Sequence, residues 1–182
     1  MDRAAEPGTS GGMRSGDIVT AKIARYDPDR DRTLRWQTWK VAWAPGMTVL
    51  DLLFHIKETQ DGSLAFRAAC RMANCGSCGM HVNGRPRLAC DTQIAELGRR
   101  IVVGPLLNHD VIKDLVPDLD PIFERHRAVQ PYLIRDGDSE KEHPAREYRQ
   151  TPAEMTAYIQ FAACITCGLC LAACPVTATD QM

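Results

Sequence analysis

The strongest constraint on this chain is a group of four cysteines between residues 70 and 90, here called the first cysteine group. Three of them fall within nine residues, in a segment here called the cysteine loop (70–78), and the fourth follows after eleven more residues. A loop that supplies three ligands within nine residues must fold tightly over the group that it binds. Gly76 and Gly79 permit such tight folding. The members of the group are Cys70, Cys75, Cys78 and Cys90.

The spacing of this group predicts a [2Fe-2S] cluster. C-x4-C-x2-C followed by a distant cysteine is the plant-type iron–sulfur pattern, which places four thiolates around two irons. Zinc is the main alternative, but structural zinc sites usually combine two short C-x2-C units. Disulfides are a weaker alternative, because the N-terminal residues show no export signal and thiols in reducing compartments stay free to bind metal.

A second cysteine group lies near the C-terminal end of the sequence. It reads C-x2-C-x2-C-x3-C-P, the bacterial ferredoxin pattern, in which the fourth cysteine ligates a different cluster from the first three. No further cysteine is present to complete either ligand set. We expect the sequence to be a fragment. Two alternatives would also account for the missing ligands: another polypeptide completes the site, or the last cysteine binds locally, against the usual geometry. The members of the group are Cys164, Cys167, Cys170 and Cys174.

Length and composition indicate two small soluble domains. The chain has 182 residues, 45% of them hydrophobic and 25% charged, as is usual for globular proteins. A net charge of −1 argues against nucleic-acid binding, and no apolar run reaches the roughly eighteen residues of a membrane span. We predict a disordered arm over 1–16, a [2Fe-2S] domain over 17–106 and a helical ferredoxin-like domain, incomplete, over 107–182.

Hydrophobic periodicity in the N-terminal half predicts a small sheet with one helix against it. Thr48 and Asp51 have the spacing of a capping box, and Asn83-Gly84 is a typical hairpin turn. The three tryptophans are expected to pack in the sheet more often than to form a partner surface. The prediction is an α+β fold of the β-grasp type. Its elements are strands 18–26, 35–41, 80–82, 87–89 and 101–103, with a helix over 48–57.

Beyond Pro105 the periodicity changes toward helix. Short amphipathic pieces are predicted at Val111–Leu115 and Ile122–Arg125. Thr151, Pro152 and Glu154 then supply an N-cap, a proline at the first helical position and a capping-box carboxylate. This last helix leads directly into the second cysteine group.

At these residues the chain resembles the iron–sulfur subunit of the succinate dehydrogenase and fumarate reductase family. The resemblance runs from Ile18 to Pro175 and includes the short interval between Cys78 and Cys90. The segment Cys164-Ile165-Thr166-Cys167-Gly168-Leu169-Cys170 is more similar to the fumarate reductase side of the family. Further matching segments are Leu64–Arg67, Cys70–Ala73, Cys75–Gly79, Asn83–Pro86, Ile112–Val116, Pro131–Tyr132 and Thr151–Met155.

The resemblance implies three clusters. The first cysteine group would hold the [2Fe-2S] cluster, and Cys164, Cys167 and Cys170 would hold a [4Fe-4S] cluster. Cys174 would be a ligand of a [3Fe-4S] cluster. These clusters need eleven cysteines, three more than the eight present.

The resemblance also implies partners and a place in the cell. Electrons would pass between an FAD-containing flavoprotein subunit and membrane quinone, through membrane anchor subunits, at the cytoplasmic face of the cell membrane. The flavin would interconvert succinate and fumarate, so this subunit would not be catalytic alone. Four arginines near the first cysteine group would raise the cluster potential, or would be solvated or contact the flavoprotein. They are Arg67, Arg71, Arg85 and Arg87.

Other functions compete with this one. A free-standing two-cluster ferredoxin would need an exposed, usually acidic docking face, which the near-neutral charge disfavours. A subunit of a related fumarate reductase that does not use quinone fits the same motifs. An interaction protein whose clusters are structural or sense oxidants is a further alternative. We find no nucleophile–base pair or phosphate-binding loop that would support independent catalysis.

Overall fold

The computed structural model describes residues 12–132 and 149–179. Residues 1–11 of the predicted arm and residues 133–148 of the predicted second domain lie outside the described residues. The chain divides into two compact units, one with the described residues up to Leu119 and from Thr166 onward, the other spanning Asp120–Ile165. The domain limits 17–106 and 107–182 stay a prediction.

A five-stranded mixed sheet forms the centre of the first unit. The strands follow the order β2-β1-β5-β3-β4, with β1 and β5 parallel and every other neighbouring pair antiparallel. Parallel strands need a long crossover connection, and here that connection contains the helix and the cysteine loop. All five predicted strands are confirmed. Their bounds are β1 Ile18–Arg25, β2 Arg35–Ala42, β3 Gly79–Val82, β4 Arg85–Leu88 and β5 Arg100–Gly104.

Helix α1, Val49–Thr59, packs its apolar face into the core beneath the sheet. The predicted capping box is confirmed, because Thr48 Oγ1 accepts the Asp51 N–H and the Asp51 carboxylate accepts the Thr48 N–H. A short helix α2, Ile94–Leu97, precedes β5. The mixed sheet with its helices confirms the predicted α+β fold. The buried residues of α1 are Val49, Leu50, Leu52, Leu53 and Ile56.

The tryptophans divide between core and surface. Trp39 and Trp43 are buried in the core, as predicted. Trp36 lies on the opposite side of β2 with 46% of its surface exposed, and the Lys22 ammonium lies 5.1 Å from its ring. The alternation of side chains along a strand explains the difference, since residues 36 and 39 point to opposite faces.

The predicted helical piece at Val111–Leu115 is wrong. The structure has a small antiparallel hairpin there, with strands β6, Val111–Lys113, and β7, Val116–Pro117. Asp114 reverses the chain at φ 48°, a left-handed conformation that a helix excludes. Its N–H donates to the Tyr26 carbonyl at 2.9 Å, so a contact distant in sequence fixes the turn.

Four more helices follow in the described part of the chain. In the second unit, α3 spans Asp120–Ala128, which confirms the predicted helical piece at Ile122–Arg125, and α4 spans Pro152–Ala162. The capping box of Thr151 and Glu154 at the start of α4 is confirmed. In the first unit, α5 spans Leu169–Ala173 and α6 spans Pro175–Thr179. None of the helices in the described ranges has the length and apolar character needed to cross a membrane.

A buried ion pair joins three separate parts of the first unit. Arg25 Nε on β1 donates to Asp114 Oδ1 at 2.9 Å, and Arg25 Nη2 donates to Ser63 Oγ at 2.8 Å. Asp114 Oδ2 accepts the Ala65 N–H at 2.9 Å. Hydrogen bonds from Ser63, with the nearby Arg25 guanidinium, lower the pKa of Asp61 to about 2. The network therefore fixes segment 61–65, which leads into the cysteine loop.

Replacing Asp114 with asparagine tests this network. Asparagine tolerates the positive φ, so the change removes the charge without adding backbone strain. We expect Asp114→Asn to lower the free energy of unfolding by about 3 kcal/mol, as when a buried ion pair is broken. Urea denaturation followed by tryptophan fluorescence measures this loss. The exposed pair of Arg35 and Asp31 gives the control, since Arg35→Gln should cost less than about 1 kcal/mol. Equal losses in the two variants would contradict the assigned role.

Candidate metal centre

The β3–β4 hairpin brings the fourth cysteine back to the cysteine loop. Cys78 directly precedes β3, and Cys90 follows β4 after one residue. Gly79 pairs with Leu88 in the register of the hairpin, and the Ala89 N–H donates to the Cys78 carbonyl at 3.0 Å. The structure therefore brings all four predicted ligands of the first cysteine group into one region.

Backbone N–H groups of the loop are directed at the cysteine sulfurs. Cys70 Sγ accepts three of them, from Met72 at 3.4 Å, Asn74 at 3.4 Å and Cys75 at 3.3 Å. The Ala73 N–H donates to Cys90 Sγ at 3.3 Å. Such donors stabilise thiolates, and they offset the negative charge of a thiolate-bound cluster.

Left-handed backbone at two positions without glycine makes this arrangement possible. Arg71 has φ 57° and Ala73 has φ 56°, and alternating conformations of this kind turn successive N–H groups inward. Gly76, with φ 73°, has the positive φ expected of it, whereas the same expectation for Gly79 is wrong, because Gly79 begins strand β3. Sequence reasoning missed Arg71 and Ala73, because no residue type marks a left-handed position other than glycine and, more weakly, asparagine or aspartate.

The four sulfurs form two pairs with different surroundings. The Ser77 hydroxyl and the backbone N–H of Cys70 lower the pKa of the exposed Cys75 to about 6. Burial, together with the adjacent Cys90, raises the pKa of Cys78 to about 11. Cys75 thus neighbours Cys70, and Cys78 neighbours Cys90.

This pairing fits two irons. A [2Fe-2S] cluster takes four cysteine ligands shared between two metal ions, and the pairs Cys70–Cys75 and Cys78–Cys90 match that need. The residues present therefore fit the predicted cluster.

One of the four predicted arginines is fixed beside the loop. The Arg71 guanidinium lies 4.4 Å from the centre of the Phe54 ring, and Phe54 packs edge-on against Phe66 at 5.0 Å. This cation–π contact anchors the strained loop to α1. The influence of Arg67, Arg71, Arg85 and Arg87 on the cluster potential stays a prediction.

The second cysteine group is distributed over both units. Cys164 follows α4 in the second unit, whereas the other three lie in the first. Cys167 precedes α5, Cys170 lies within it, and Cys174 forms its C-cap. Hydrogen bonds from the Thr177 hydroxyl and from the N–H groups of Thr177 and Val176 lower the pKa of Cys174. The assignment of these residues to [4Fe-4S] and [3Fe-4S] clusters stays a prediction.

The unequal pKa values predict unequal reactivity in the iron-free chain. At pH 7 Cys75 is mostly thiolate, the reactive form, whereas Cys78 is protonated and buried. We expect iodoacetamide to modify Cys75 first and Cys78 last within the first cysteine group, as measured by mass spectrometry. The Cys75 rate should level off above about pH 7, and Ser77→Ala should move that profile to higher pH. Modification of Cys78 as fast as Cys75 at pH 7 would contradict the assignment.

Comparisons with known proteins agree with this geometry. Residues 20–124 match the family described as a 2Fe-2S iron-sulfur cluster binding domain. The fumarate reductase iron-sulfur subunit of Haemophilus influenzae is 39% identical over 174 residues, which cover 90% of this chain and 67% of that protein. The corresponding subunit of Mycobacterium tuberculosis is 42% identical over 165 residues, covering 90% and 66%.

Succinate dehydrogenase subunits and one solved structure are also similar. The succinate dehydrogenase iron-sulfur subunit of Paracoccus denitrificans is 38% identical over 154 residues, covering 84% of this chain and 58% of that protein. The structure of the Mycobacterium smegmatis Sdh1 complex in the apo form matches with a TM-score of 0.76 and 30% identity, covering 90% of this chain and 66% of that one. The chain spans 58% to 67% of the length of these relatives. It belongs to the family of iron–sulfur subunits of fumarate reductase and succinate dehydrogenase.

Proposed function

We propose that this chain is the electron-transfer subunit of a succinate dehydrogenase or fumarate reductase complex. It would relay electrons between an FAD-containing flavoprotein subunit and membrane quinone. The observation that carries the proposal is the pairing of four cysteines in a loop whose N–H groups point at sulfur. Family membership supplies the identity of the complex.

The chemistry of the first site is one-electron transfer. A [2Fe-2S] cluster bound by Cys70, Cys75, Cys78 and Cys90 would supply the redox centre. The protein would supply the hydrogen bonds and burial that set its potential. Reduction adds negative charge beside the sulfurs, and the donors to Cys70 and Cys90 would offset it and raise the potential.

The second cysteine group would extend the relay toward the membrane. Cys164, Cys167 and Cys170 would bind a [4Fe-4S] cluster and Cys174 a [3Fe-4S] cluster. The complete ligand sets need cysteines beyond the eight in this sequence. The Paracoccus denitrificans relative, of which this chain spans 58%, is longer than the matched region.

Exposed apolar side chains support the proposal that the chain has permanent protein partners. Met72, in the cysteine loop, has 72% of its surface exposed. Helix α4 carries a further exposed set, and such patches usually mark interaction surfaces. We assign these surfaces to the flavoprotein and membrane anchor subunits, which would hold the chain peripherally at the cytoplasmic face of the membrane. The exposed residues of α4 are Met155, Tyr158, Ile159 and Phe161.

Two alternatives retain the clusters but change the partners. A free-standing two-cluster ferredoxin would meet its partners transiently, and the exposed apolar residues argue against it. A subunit of a fumarate reductase that does not use quinone would keep the flavoprotein contact. Purification of the tagged chain from its own cells separates these functions. We expect a covalently bound flavin and hydrophobic subunits to copurify. Isolation of the chain alone would overturn the proposal that it belongs to a complex. Copurification of a flavoprotein without hydrophobic subunits would favour the fumarate reductase that does not use quinone.

The ligand assignment has its own test. We expect the chain reconstituted with iron and sulfide, then reduced with dithionite, to give a rhombic [2Fe-2S] signal in low-temperature EPR. Cys78→Ala should reduce that signal at least tenfold, because one iron loses a ligand. Cys170→Ala is the matched control and should leave it unchanged. Zinc without inorganic sulfide in the purified chain, or equal loss in both variants, would overturn the assignment.

A further inference from the structure

Cys167, a member of the second cysteine group in the first unit, lies against Gly79, the residue that follows Cys78 and begins β3. A Cβ atom added to Gly79 would lie 3.0 Å from the Cys167 carbonyl oxygen and 3.4 Å from Leu169 Cδ2. The backbone of Gly79 does not adopt a positive φ, so conformational freedom is not the reason for a glycine here. Its lack of a side chain is what lets the backbone after Cys78 lie against the backbone of Cys167.

Asn108 holds the other end of the same segment. Its Nδ2 donates to the Leu171 carbonyl at 2.9 Å and to the Cys174 carbonyl at 3.1 Å. The Leu171 carbonyl also accepts the Cys174 N–H at 3.1 Å, so the Asn108 amide adds a side-chain donor at the C-terminal end of α5. Asn108 lies in the connection between β5 and β6 with φ 60°, a conformation that asparagine tolerates better than most residues.

The segment between the Gly79 contact and the Asn108 hydrogen bonds is closely packed. Ala172, in the middle of α5, is buried, and α5 contacts β4, the strand that leads to Cys90. Segment 167–174 is thus fixed at its start by the space at Gly79 and at its end by the Asn108 amide. Gly79 belongs to the sheet that positions the first cysteine group, and Asn108 lies in the connection that follows β5 of that sheet.

We propose that Gly79 and Asn108 are positioning residues that set the separation between the first cysteine group and segment 167–174, which carries Cys167, Cys170 and Cys174. The significance of this role rests on the proposed function, since transfer of an electron between two centres slows steeply as they move apart. Neither residue is a ligand. They would act through the backbone of Cys167 and Cys174. The Gly79 backbone lies against the Cys167 carbonyl, and the Asn108 amide donates to the Cys174 carbonyl.

Hydrogen exchange measured by mass spectrometry on the full chain, reconstituted with iron and sulfide, tests the proposal. Valine at position 79 cannot be placed without moving the Cys167 backbone. Asn108→Gly removes the amide and keeps the backbone conformation available. We expect both Gly79→Val and Asn108→Gly to increase exchange over residues 169–174 at least tenfold. Gly79→Ala should have a smaller effect, because its neighbour need move by only a few tenths of an ångström.

Gly62→Val is the matched control, since the nearest atom to its added Cβ is the Lys57 carbonyl oxygen at 3.8 Å. It should leave exchange over residues 169–174 unchanged. The [2Fe-2S] EPR spectrum and exchange in β1 and β2 should stay as in the wild type for Asn108→Gly and Gly62→Val. If Gly79→Val disturbs the first cluster itself, Asn108→Gly decides, because it alters no residue of the cysteine loop. Wild-type exchange over residues 169–174 in Asn108→Gly would overturn the proposal.

A second measurement separates this proposal from the proposed function. In the assembled complex, a second paramagnetic centre accelerates the relaxation of the [2Fe-2S] signal by an amount that depends on distance. We expect microwave power saturation to show weaker enhancement in Asn108→Gly than in the wild type. A wild-type complex without any enhancement would count against the relay, whereas the exchange result would still decide the positioning role.

Discussion

Hydrogen bonds from backbone N–H groups to cysteine sulfur are the interaction on which the first site depends. Three N–H groups meet at Cys70 Sγ and a fourth reaches Cys90 Sγ, so main-chain atoms of the loop stabilise these two sulfurs. The left-handed conformations of Arg71 and Ala73 that produce this geometry are costly, by roughly 1–2 kcal/mol per residue. The stacking of Arg71 on Phe54 and the return of Cys90 through the β3–β4 hairpin hold the loop in this form.

The rest of the first unit supports that loop from both ends. The buried pair of Arg25 and Asp114 fixes segment 61–65 before the loop, and the sheet fixes β3 after it. Buried ion pairs are expensive to form, and this one is satisfied because Asp114 also accepts two backbone N–H groups. One carboxylate thereby connects β1, the β6–β7 turn and the approach to the cysteine loop.

Features set by local sequence were predictable, and those set by distant contacts were not. The strands, both capping boxes and the two cysteine groups follow from alternation, from a hydroxyl placed three residues before a carboxylate, and from ligand spacing. The β6–β7 hairpin was not predicted, because the turn at Asp114 is stabilised by hydrogen bonds from Arg25 and Tyr26, nearly ninety residues earlier in the sequence. For the same reason the role of Asn108 could not be read from its neighbours, since its acceptors are 63 and 66 residues away. The left-handed conformations of Arg71 and Ala73 were not predicted, because they go with hydrogen bonds from the loop backbone to cysteine sulfur rather than with the residue types.

The parallel pairing of β1 with β5 also has a consequence for biosynthesis. Thr20 pairs with Arg100, so the interior of the sheet cannot close on the ribosome until some eighty further residues have been translated. All four cysteines of the first group leave the exit tunnel before the strand that completes their support. Iron delivered to the nascent chain would therefore meet an unsupported loop. The loop gains the support of the complete sheet only after β5 has been released.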